Sequence, residues 1–371
     1  MKRSLLWAAL AFLATACTDE EDPIDTPDPA IPLQCENPPA NEDDAARCEP
    51  AETDYRPGEP DVNNASTDAW AACISDDNTY HPIDPNISTI ARVAAFDEIG
   101  NRLWKNGKVP TPADFTAAFD LYTQPEGLGS RVQRREDYHY PAAPNNARCR
   151  DAGVPATAPD RCVGPAKLLP IINEAFVQGS KQDDKTPRLH AARIEAALVW
   201  FLYISVVSEI NTCATTPRDC DSAWAYYTGG TARCEPKGLA AYVRSVGPRT
   251  HERIYDATLA VRCWRNLDNE TGAASNTDLR NRAQNQYDKA ALRGVALILR
   301  ERFTLLSQGS DEEKQARLAF INTLGPFLDR AARELNASQA DALKAQLGKT
   351  SASEVNVNTA TGALDALFGC P

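Results

Sequence analysis

Residues 187–211 read PRLHAARIEAALVWFLYISVVSEIN and form the longest helical pattern in the 371-residue chain. Within this stretch, residues 196–208 carry no charged side chain, and Glu195 and Glu209 stand on either side of them. A helix that is apolar on every face is usually buried, and these thirteen residues are fewer than the roughly 20 that span a bilayer. The stretch therefore predicts the central buried helix of a helical domain.

Most of the sequence after residue 86 also has the apolar spacing or the capping residues of helices. Helices are predicted over 87–104, 111–122, 168–177, 249–264 and 279–306, and as a pair over 311–347 that is broken near Gly325-Pro326 and capped again at Asn336. Strand-like alternation is scarce, and residues 354–358 are its best candidate. The predicted fold class is all-α: a multi-helix domain with long disulfide-pinned loops at 124–167 and 212–236.

The N-terminal residues have the pattern of an export signal. Lys2 and Arg3 precede an apolar run over residues 5–13, which is about half the length of a membrane-spanning helix. The residues Ala14-Thr15-Ala16-Cys17 then resemble a bacterial lipobox, although Ala14 stands where Leu is commoner. We expect residues 1–16 to be a lipoprotein signal peptide and Cys17 to be lipidated, which anchors the protein in the bacterial cell envelope, at the outer membrane or cell surface. An ordinary secreted protein is the alternative.

Negative charge is concentrated in one segment. The formal net charge is −12, and residues 18–68 contain sixteen Asp and Glu against two Arg, whereas residues 69–371 hold 35 acidic and 35 basic residues. Segment 17–65 is also rich in proline and poor in apolar clusters, so we expect a disordered acidic tether there and the helical domain over 66–371. A domain without net charge does not favour nucleic-acid binding.

The chain has eleven cysteines, and an odd number in an exported protein points to one with a separate role. With Cys17 as the lipidation site, ten remain for five disulfides in an oxidising compartment. Short separations suggest the pairs Cys35–Cys48, Cys149–Cys162 and Cys213–Cys220. The other four cysteines allow three pairings, of which Cys234–Cys263 with Cys73–Cys370 is preferred.

Standard catalytic signatures are missing from the sequence, including Gly-x-Ser-x-Gly, the P-loop, the dinucleotide fingerprint and His-Glu-x-x-His. One Glu-x-x-His occurs at Glu136–His139, but it runs into Pro141 and is interpreted as a loop. Tyrosines and carboxylates are abundant, and hard cations select oxygen donors. Ferric iron in particular binds phenolate and carboxylate, and an arginine can hold a companion anion. We therefore predict a binding protein and not an enzyme.

Glu195 and Glu209 are on the order of 21 Å apart along one helix, so they cannot share an ion. An unpaired buried carboxylate is costly, and each is therefore expected to pair with an arginine of a neighbouring helix. Arg262 and Arg293 lie inside apolar helical stretches and are the predicted partners. The alternative is that these carboxylates line a polar pocket that admits a ligand.

Several segments carry a resemblance to a known family. They are residues 197–203, the block 220–230 with its Trp-Ala-Tyr-Tyr-Thr-Gly-Gly sequence, and the later segments 238–240, 262–265 and 291–296. Over about residues 185–305 the chain resembles the low-iron-inducible periplasmic family known from algal iron assimilation, in its bacterial members. The resemblance implies that the protein binds iron (Fe³⁺) at the cell surface or helps to deliver it.

The leading hypothesis is a surface lipoprotein that binds ferric iron or an iron complex in iron acquisition, with other envelope or transport proteins as possible partners. The site is expected where the central helix meets the Cys213–Cys220 loop and segment 221–230. The candidate metal ligands are His190, Glu209, Asp221, Tyr226, Tyr227 and Asp256. One alternative is a scaffold or adhesin-like envelope lipoprotein with no metal. A weaker one is an enzyme, either a hydrolase of unfamiliar motif or an imelysin-like protein, although the imelysin Gly-x-His-x-x-Glu motif is lacking.

Overall fold

The computed structural model describes residue 35 and residues 51–57, 70–183 and 186–369. No β-strand occurs among these residues, and most of them are helical, so the all-α prediction is confirmed. In chain order the α-helices are α1 Thr89–Leu103, α2 Pro112–Thr123, α3 Gly129–Val132, α4 Val154–Thr157, α5 Leu169–Gly179, α6 Pro187–Cys213, α7 Arg218–Thr228, α8 Gly238–Val246, α9 Pro248–Leu267, α10 Thr277–Thr304, α11 Asp311–Leu324, α12 Asp329–Leu335, α13 Ala337–Leu347 and α14 Val357–Leu367.

Local sequence explains where several of these helices begin and end. Thr111 caps α2 through a reciprocal pair of hydrogen bonds with Asp114, as its spacing predicts. Asn336 caps α13 by accepting a hydrogen bond from the backbone of Gln339. Gly229 ends α7 with a φ of 73°, a conformation that costs glycine little. These boundaries follow from side-chain chemistry that can be read in the sequence.

Some secondary-structure predictions from the sequence are wrong. Residues 354–358 contain no strand, because Ala352–Glu354 forms a 3-10 turn and α14 begins at Val357. The predicted loop at 212–236 contains α7, in which Cys220, Ala223, Trp224 and Tyr227 recur at helical spacing behind a charged start. Helices α8 and α14 were also not predicted. All three of these helices are short, so each offers few turns in which a period can be recognised.

Helix α6 is the centre of the core. It packs against α11, α7 and α5, and the residues of its charge-free run are buried, with Leu202, Tyr203 and Ile204 fully inaccessible. By length and composition it is the one helix in the described part of the chain that matches a membrane span, but 94% of its most apolar window is buried inside the protein. The prediction of a central buried helix is confirmed.

Part of the expected tether belongs to the helical domain. Tyr55 is fully buried, and its backbone N–H donates to the Gln286 side chain at 2.9 Å. Asp54 forms an ion pair with Arg253 of α9 at 2.7 Å. The boundary at residue 65 therefore does not hold for residues 51–57. Composition alone misses this contact, because it depends on single residues, Asp54 and Tyr55, in an acidic, proline-rich stretch.

Four disulfides join described residues. Cys149–Cys162 and Cys213–Cys220 confirm the two pairings predicted from short separation in the loops. The other pairings are corrected: Cys35 bonds to Cys234 and Cys73 bonds to Cys263, in place of Cys35–Cys48, Cys234–Cys263 and Cys73–Cys370. The corrected bonds join positions 199 and 190 residues apart in sequence, where spacing carries no information about proximity.

The remaining N-terminal predictions fall outside the described residues. These are the signal peptide 1–16, the lipidation site Cys17, and residues 17–34, 36–50 and 58–65 of the tether. Cys48 and Cys370 also lie outside the described part of the chain.

Candidate functional site

Both carboxylates that flank the charge-free run are paired with arginines, but not with the predicted ones. Glu195 lies 2.9 Å from Arg302 of α10 and accepts a further hydrogen bond from the Tyr242 hydroxyl. Glu209 lies 3.0 Å from Arg135, which belongs to the segment between α3 and α4. Burial raises the pKa of Glu195 above its ordinary range.

The arginines predicted as partners face other acids. Arg262 pairs with Glu270, just beyond the end of its own helix, and Arg293 lies 3.9 Å from Asp365 of α14. Apolar surroundings identify both arginines as buried, and that part of the prediction is correct. Sequence spacing does not tell which helix each one faces.

The six predicted metal ligands do not form one cluster. His190 stands in the first turn of α6 and Glu209 in its last turns, about 28 Å apart along the helix axis. Among the described residues, no group of three or more His, Cys, Asp or Glu side chains is close enough to hold a metal ion. The single ferric site predicted from these residues is not assembled in this form.

Tyr227 points away from the other candidates, towards His251. The Nε2–H of this buried histidine donates to the Arg233 carbonyl at 2.9 Å, which leaves Nδ1 to accept from the Tyr227 hydroxyl, also at 2.9 Å. Burial raises the pKa of the Tyr227 phenol well above its ordinary value. Tyr227 therefore keeps its proton and acts as a hydrogen-bond donor in the core.

Asp256 is held by Arg233, whose guanidinium reaches it at 2.6 Å and reaches Glu252 at 2.7 Å. The ring of Tyr255 lies 4.3 Å from the centre of the same guanidinium. This is a separate ion-pair network beside the Cys35–Cys234 bond, and it contributes no ligand to the region around Glu209.

Asp221 is a structural anchor for the segment that leads into α1. It accepts hydrogen bonds from the Tyr80 hydroxyl at 2.9 Å and from the backbone N–H groups of Ile83 and Asp84 at 2.8–3.1 Å. Burial raises its pKa, while these donors and Arg262 oppose the rise. The carboxylate thus holds a loop in place at the edge of a cavity.

Tyr226 lies beside the Glu209–Arg135 pair. The centre of the Arg135 guanidinium is 5.2 Å from the Tyr226 ring and 5.6 Å from the Phe201 ring. Burial raises the pKa of Tyr226, and Arg135 opposes that rise. Adjacent tyrosines on a helix diverge by about 100°, which is why Tyr226 and Tyr227 serve different neighbours.

A polar cavity of about 250 Å³ opens where α6, α7 and the start of α1 meet. This is the location predicted for the site, and Glu209 and Asp221 both line it. Its other polar lining residues are Asp84, Asn86, Ser88, Thr89, Arg131, Arg218, Asp219 and Ser222. The volume is far larger than a single water needs and suits a small organic anion.

Two arginines in this polar cavity lack an acidic partner. Within the described part of the chain, no carboxylate oxygen lies within 4.0 Å of the guanidinium of Arg131 or Arg218. The Nε of Arg131 is buried and makes no hydrogen bond. The pKa of nearby Arg134 is lowered by partial burial and by the charges of Arg131 and Arg135. The lining holds four carboxylates against these two arginines, so among the described residues the two guanidiniums lack an ion pair although positive charge is not in excess.

The polar cavity also contains carboxylates that no arginine neutralises directly. Burial raises the pKa of Asp219, and Arg131 and Arg218 act in the opposite direction. Asp84 accepts a hydrogen bond from the backbone of Asn86 at 2.8 Å. Cationic and anionic groups thus face one space, an arrangement that can hold a metal ion together with an anion.

Sequence reasoning missed Arg131 and Arg218 as site residues. Arg218 stands inside the Cys213–Cys220 loop, three positions before Asp221, so the charged run Arg218–Asp221 was the available signal. Arg131 lies in a segment with no repeating pattern and gave no signal.

His139 lies in a third environment, between two carboxylates. Its Nδ1 is 2.7 Å from Asp137 and its Nε2 is 3.0 Å from Asp288, which also accepts from the Tyr203 hydroxyl. Burial lowers the pKa of His139, but the two hydrogen bonds prevail and raise it to about 9. The imidazolium ties the 124–167 segment to α6 and α10, and the Glu-x-x-His pattern is structural here.

In comparisons with known proteins, no family model, no curated protein and no solved structure matches the chain. The likeness to the low-iron-inducible family stays a prediction from the sequence.

Proposed function

We propose that this protein is a non-catalytic binding protein of the bacterial cell envelope that takes ferric iron as an anionic complex. The polar cavity between α6, α7 and the start of α1 is the proposed site. The observation that carries the proposal is the pair Arg131 and Arg218, which line that cavity without a carboxylate partner among the described residues.

The arrangement favours a complexed ion over a bare one. Glu209 is engaged by Arg135, and Asp221 by three hydrogen-bond donors, so the protein has few oxygen donors to spare. A chelate of the polycarboxylate class brings its own donors to the iron. The carboxylates on the outside of such a chelate can form bidentate hydrogen bonds with an arginine guanidinium. Asp84 and Asp219 are then available for the metal side, since a hard cation prefers oxygen.

The proposal has two parts, that the ligand is an anion and that it contains iron, and different observations support each part. The anionic character of the ligand rests on the two unpaired guanidiniums. Iron rests on the resemblance to the low-iron-inducible family and on the preference of ferric ion for carboxylate oxygen. The experiment must therefore distinguish an anion binder from a binder of ferric complexes.

Calorimetric titration of the full-length protein with ferric citrate, citrate alone and a ferric salt makes this distinction. We expect ferric citrate to bind most tightly. Arg131→Gln and Arg218→Gln should each weaken it by about tenfold, which is the loss of one charge-assisted contact. The control is Arg150→Gln, which removes an exposed arginine outside the cavity lining and should change nothing.

Three outcomes contradict the proposal. If the ferric salt binds as tightly as ferric citrate, the chelate is unnecessary. If citrate binds as tightly as its ferric complex, the site is an anion site without iron. If nothing binds, the scaffold hypothesis takes its place.

The envelope part of the proposal has its own test. Cys17→Ser should release the protein from membranes or leave it uncleaved, because the lipid attachment atom is lost. Unchanged membrane association with a mature N terminus other than Cys17 contradicts it.

A further inference from the structure

Two clefts meet at the Glu195–Arg302 ion pair, at the other end of α6. The first has a volume of about 250 Å³ and lies between the end of α1, the first turns of α6 and α11. The second has a volume of about 300 Å³ and is lined by α8 and α10. Trp104, Glu195 and Arg302 line both. Glu195 is only 4% exposed, so the pair forms the floor between them.

The first cleft exists because small side chains line it. Ala191 and Ala192 of α6 and Ala316 of α11 leave space where larger residues would fill the contact. Trp104 supplies aromatic surface on its wall, and Phe320 lies behind it, 1% exposed and with the Arg302 guanidinium 4.6 Å from its ring. Aromatic walls with a few polar groups are typical of small-molecule sites and differ from the mostly polar lining around Arg131.

In the part of the chain that the structure describes, one cation in the first cleft has no ion pair. Lys108 pairs with Asp114 at 2.9 Å, and Arg188 lies 3.3 Å from Glu313 and 3.8 Å from Glu312. Arg317 instead donates to the backbone carbonyls of Leu305 and Gln308, and no carboxylate oxygen in the described residues lies within ion-pair distance of it. An incoming carboxylate would supply an ion-pair partner for Arg317.

We propose that this cleft is a second binding site, for a small monocarboxylate with an aromatic or apolar body. Arg317 with Arg188 would receive the carboxylate, and Trp104 the body. The Tyr242 hydroxyl accepts from Trp104 Nε1 at 2.7 Å and donates to Glu195 at 2.9 Å. This chain fixes the position of the Trp104 ring, so the aromatic wall is formed before a ligand arrives. The inference is independent of the polar cavity and of iron.

The test uses benzoate as the probe and benzyl alcohol as its uncharged analogue. Ligand-observed NMR and calorimetry on the full-length protein should give benzoate a Kd below about 1 mM and benzyl alcohol an affinity about tenfold weaker. Ala316→Leu fills the cleft without changing its charge and should weaken benzoate by at least about tenfold. Ala345→Leu, on the exposed side of α13, is the matched control and should have no effect.

A second variant keeps the proposal testable if Ala316→Leu disturbs packing. Arg317→Gln should remove the preference for benzoate over benzyl alcohol, while Arg218→Gln in the polar cavity should leave it intact. The proposal is overturned if benzyl alcohol binds as well as benzoate, or if neither Ala316→Leu nor Arg317→Gln alters binding. It is also overturned if Arg218→Gln abolishes binding, or if benzoate does not bind at about 10 mM.

Discussion

Glu195 and Glu209 lie on the same helix and each holds an arginine, the first fully buried and the second partly buried, yet the two ends of α6 have different surroundings. At Glu195 the neighbouring clefts have alanine and aromatic walls, and Arg302 forms its ion pair with this carboxylate. At Glu209 the neighbouring cavity is polar, and Arg131 and Arg218 remain without an acid. A buried ion pair by itself therefore does not mark a site. What distinguishes the Glu209 end is a polar cavity in which acids and unpaired arginines face one space, whereas the unpaired Arg317 beside Glu195 faces a cleft with alanine and aromatic walls.

The largest effect is expected from Glu209→Gln. Arg135 is 7% exposed, and two of its guanidinium nitrogens already lack partners, so loss of Glu209 leaves a buried charge unpaired. The expected loss of unfolding free energy is about 4 kcal/mol, measured by chemical denaturation. Excess ferric citrate should recover part of it, because the ligand binds only the folded state.

The control for this substitution is Glu174→Gln, which breaks an exposed pair with Arg193 and should cost at most about 0.5 kcal/mol. A Glu209→Gln protein that is as stable as the control would mean that water solvates the unpaired Arg135 guanidinium. The ion pairs at the two ends of α6 would then differ less in their contribution to stability than the geometry indicates.

The pH dependence of stability tests the middle of the helix, where Tyr203 and His139 share Asp288. The folded pKa of His139 is about 9, above the unfolded value of about 6.5. Its contribution is therefore complete below about pH 6.5 and is lost as the pH rises through about 9, by up to about 3 kcal/mol. Thermal unfolding across this range should show the loss in the wild type and not in His139→Gln.

His251 provides the opposite case. Burial lowers its pKa to about 4, so its contribution is present above about pH 6.5 and is lost as the pH falls through about 4. If His139→Gln flattened the acid limb of the stability profile instead of the alkaline limb, the assignment of the two histidines would be wrong.

The sequence predicts the scaffold better than the site. The central helix, the caps at Thr111 and Asn336 and the two short-range disulfides depend on neighbours in sequence, and all are present. The partners of Glu195 and Glu209 and the bonds Cys35–Cys234 and Cys73–Cys263 depend on how helices are rotated and packed, which spacing does not encode. The location of the polar cavity was predicted from Glu209 and Asp221, but its arginines were not.

A smaller effect is expected at the other end of the helix. Glu195→Gln keeps an oxygen that can accept from Tyr242, and the Arg302 side chain is 26% exposed and can reach water. The raised pKa of Glu195 also means that its charge is already costly there. We expect a loss of about 2 kcal/mol and no change in ferric citrate binding. An equal effect on ferric citrate from Glu195→Gln and Glu209→Gln would remove the distinction between the two ends.

The smallest effect is expected from Tyr227→Phe, which removes one hydrogen bond to His251 and should cost about 1 kcal/mol. Tyr226→Phe is the matched substitution beside the Glu209–Arg135 pair. Neither is expected to change ferric citrate binding by more than about twofold, because both phenols keep their protons. If the protein shows a ferric charge-transfer band and one of these variants lacks it, that tyrosine binds iron as a phenolate, contrary to this expectation.

Equilibrium dialysis of the full-length protein against ferric citrate that carries separate radiolabels on iron and on citrate tests whether the intact complex is the ligand. Both labels should be retained together, and both should be lost together in the Arg131→Gln/Arg218→Gln double variant. Retention of iron without citrate would contradict binding of the intact complex, because the protein would then be binding the bare ion with its own side chains.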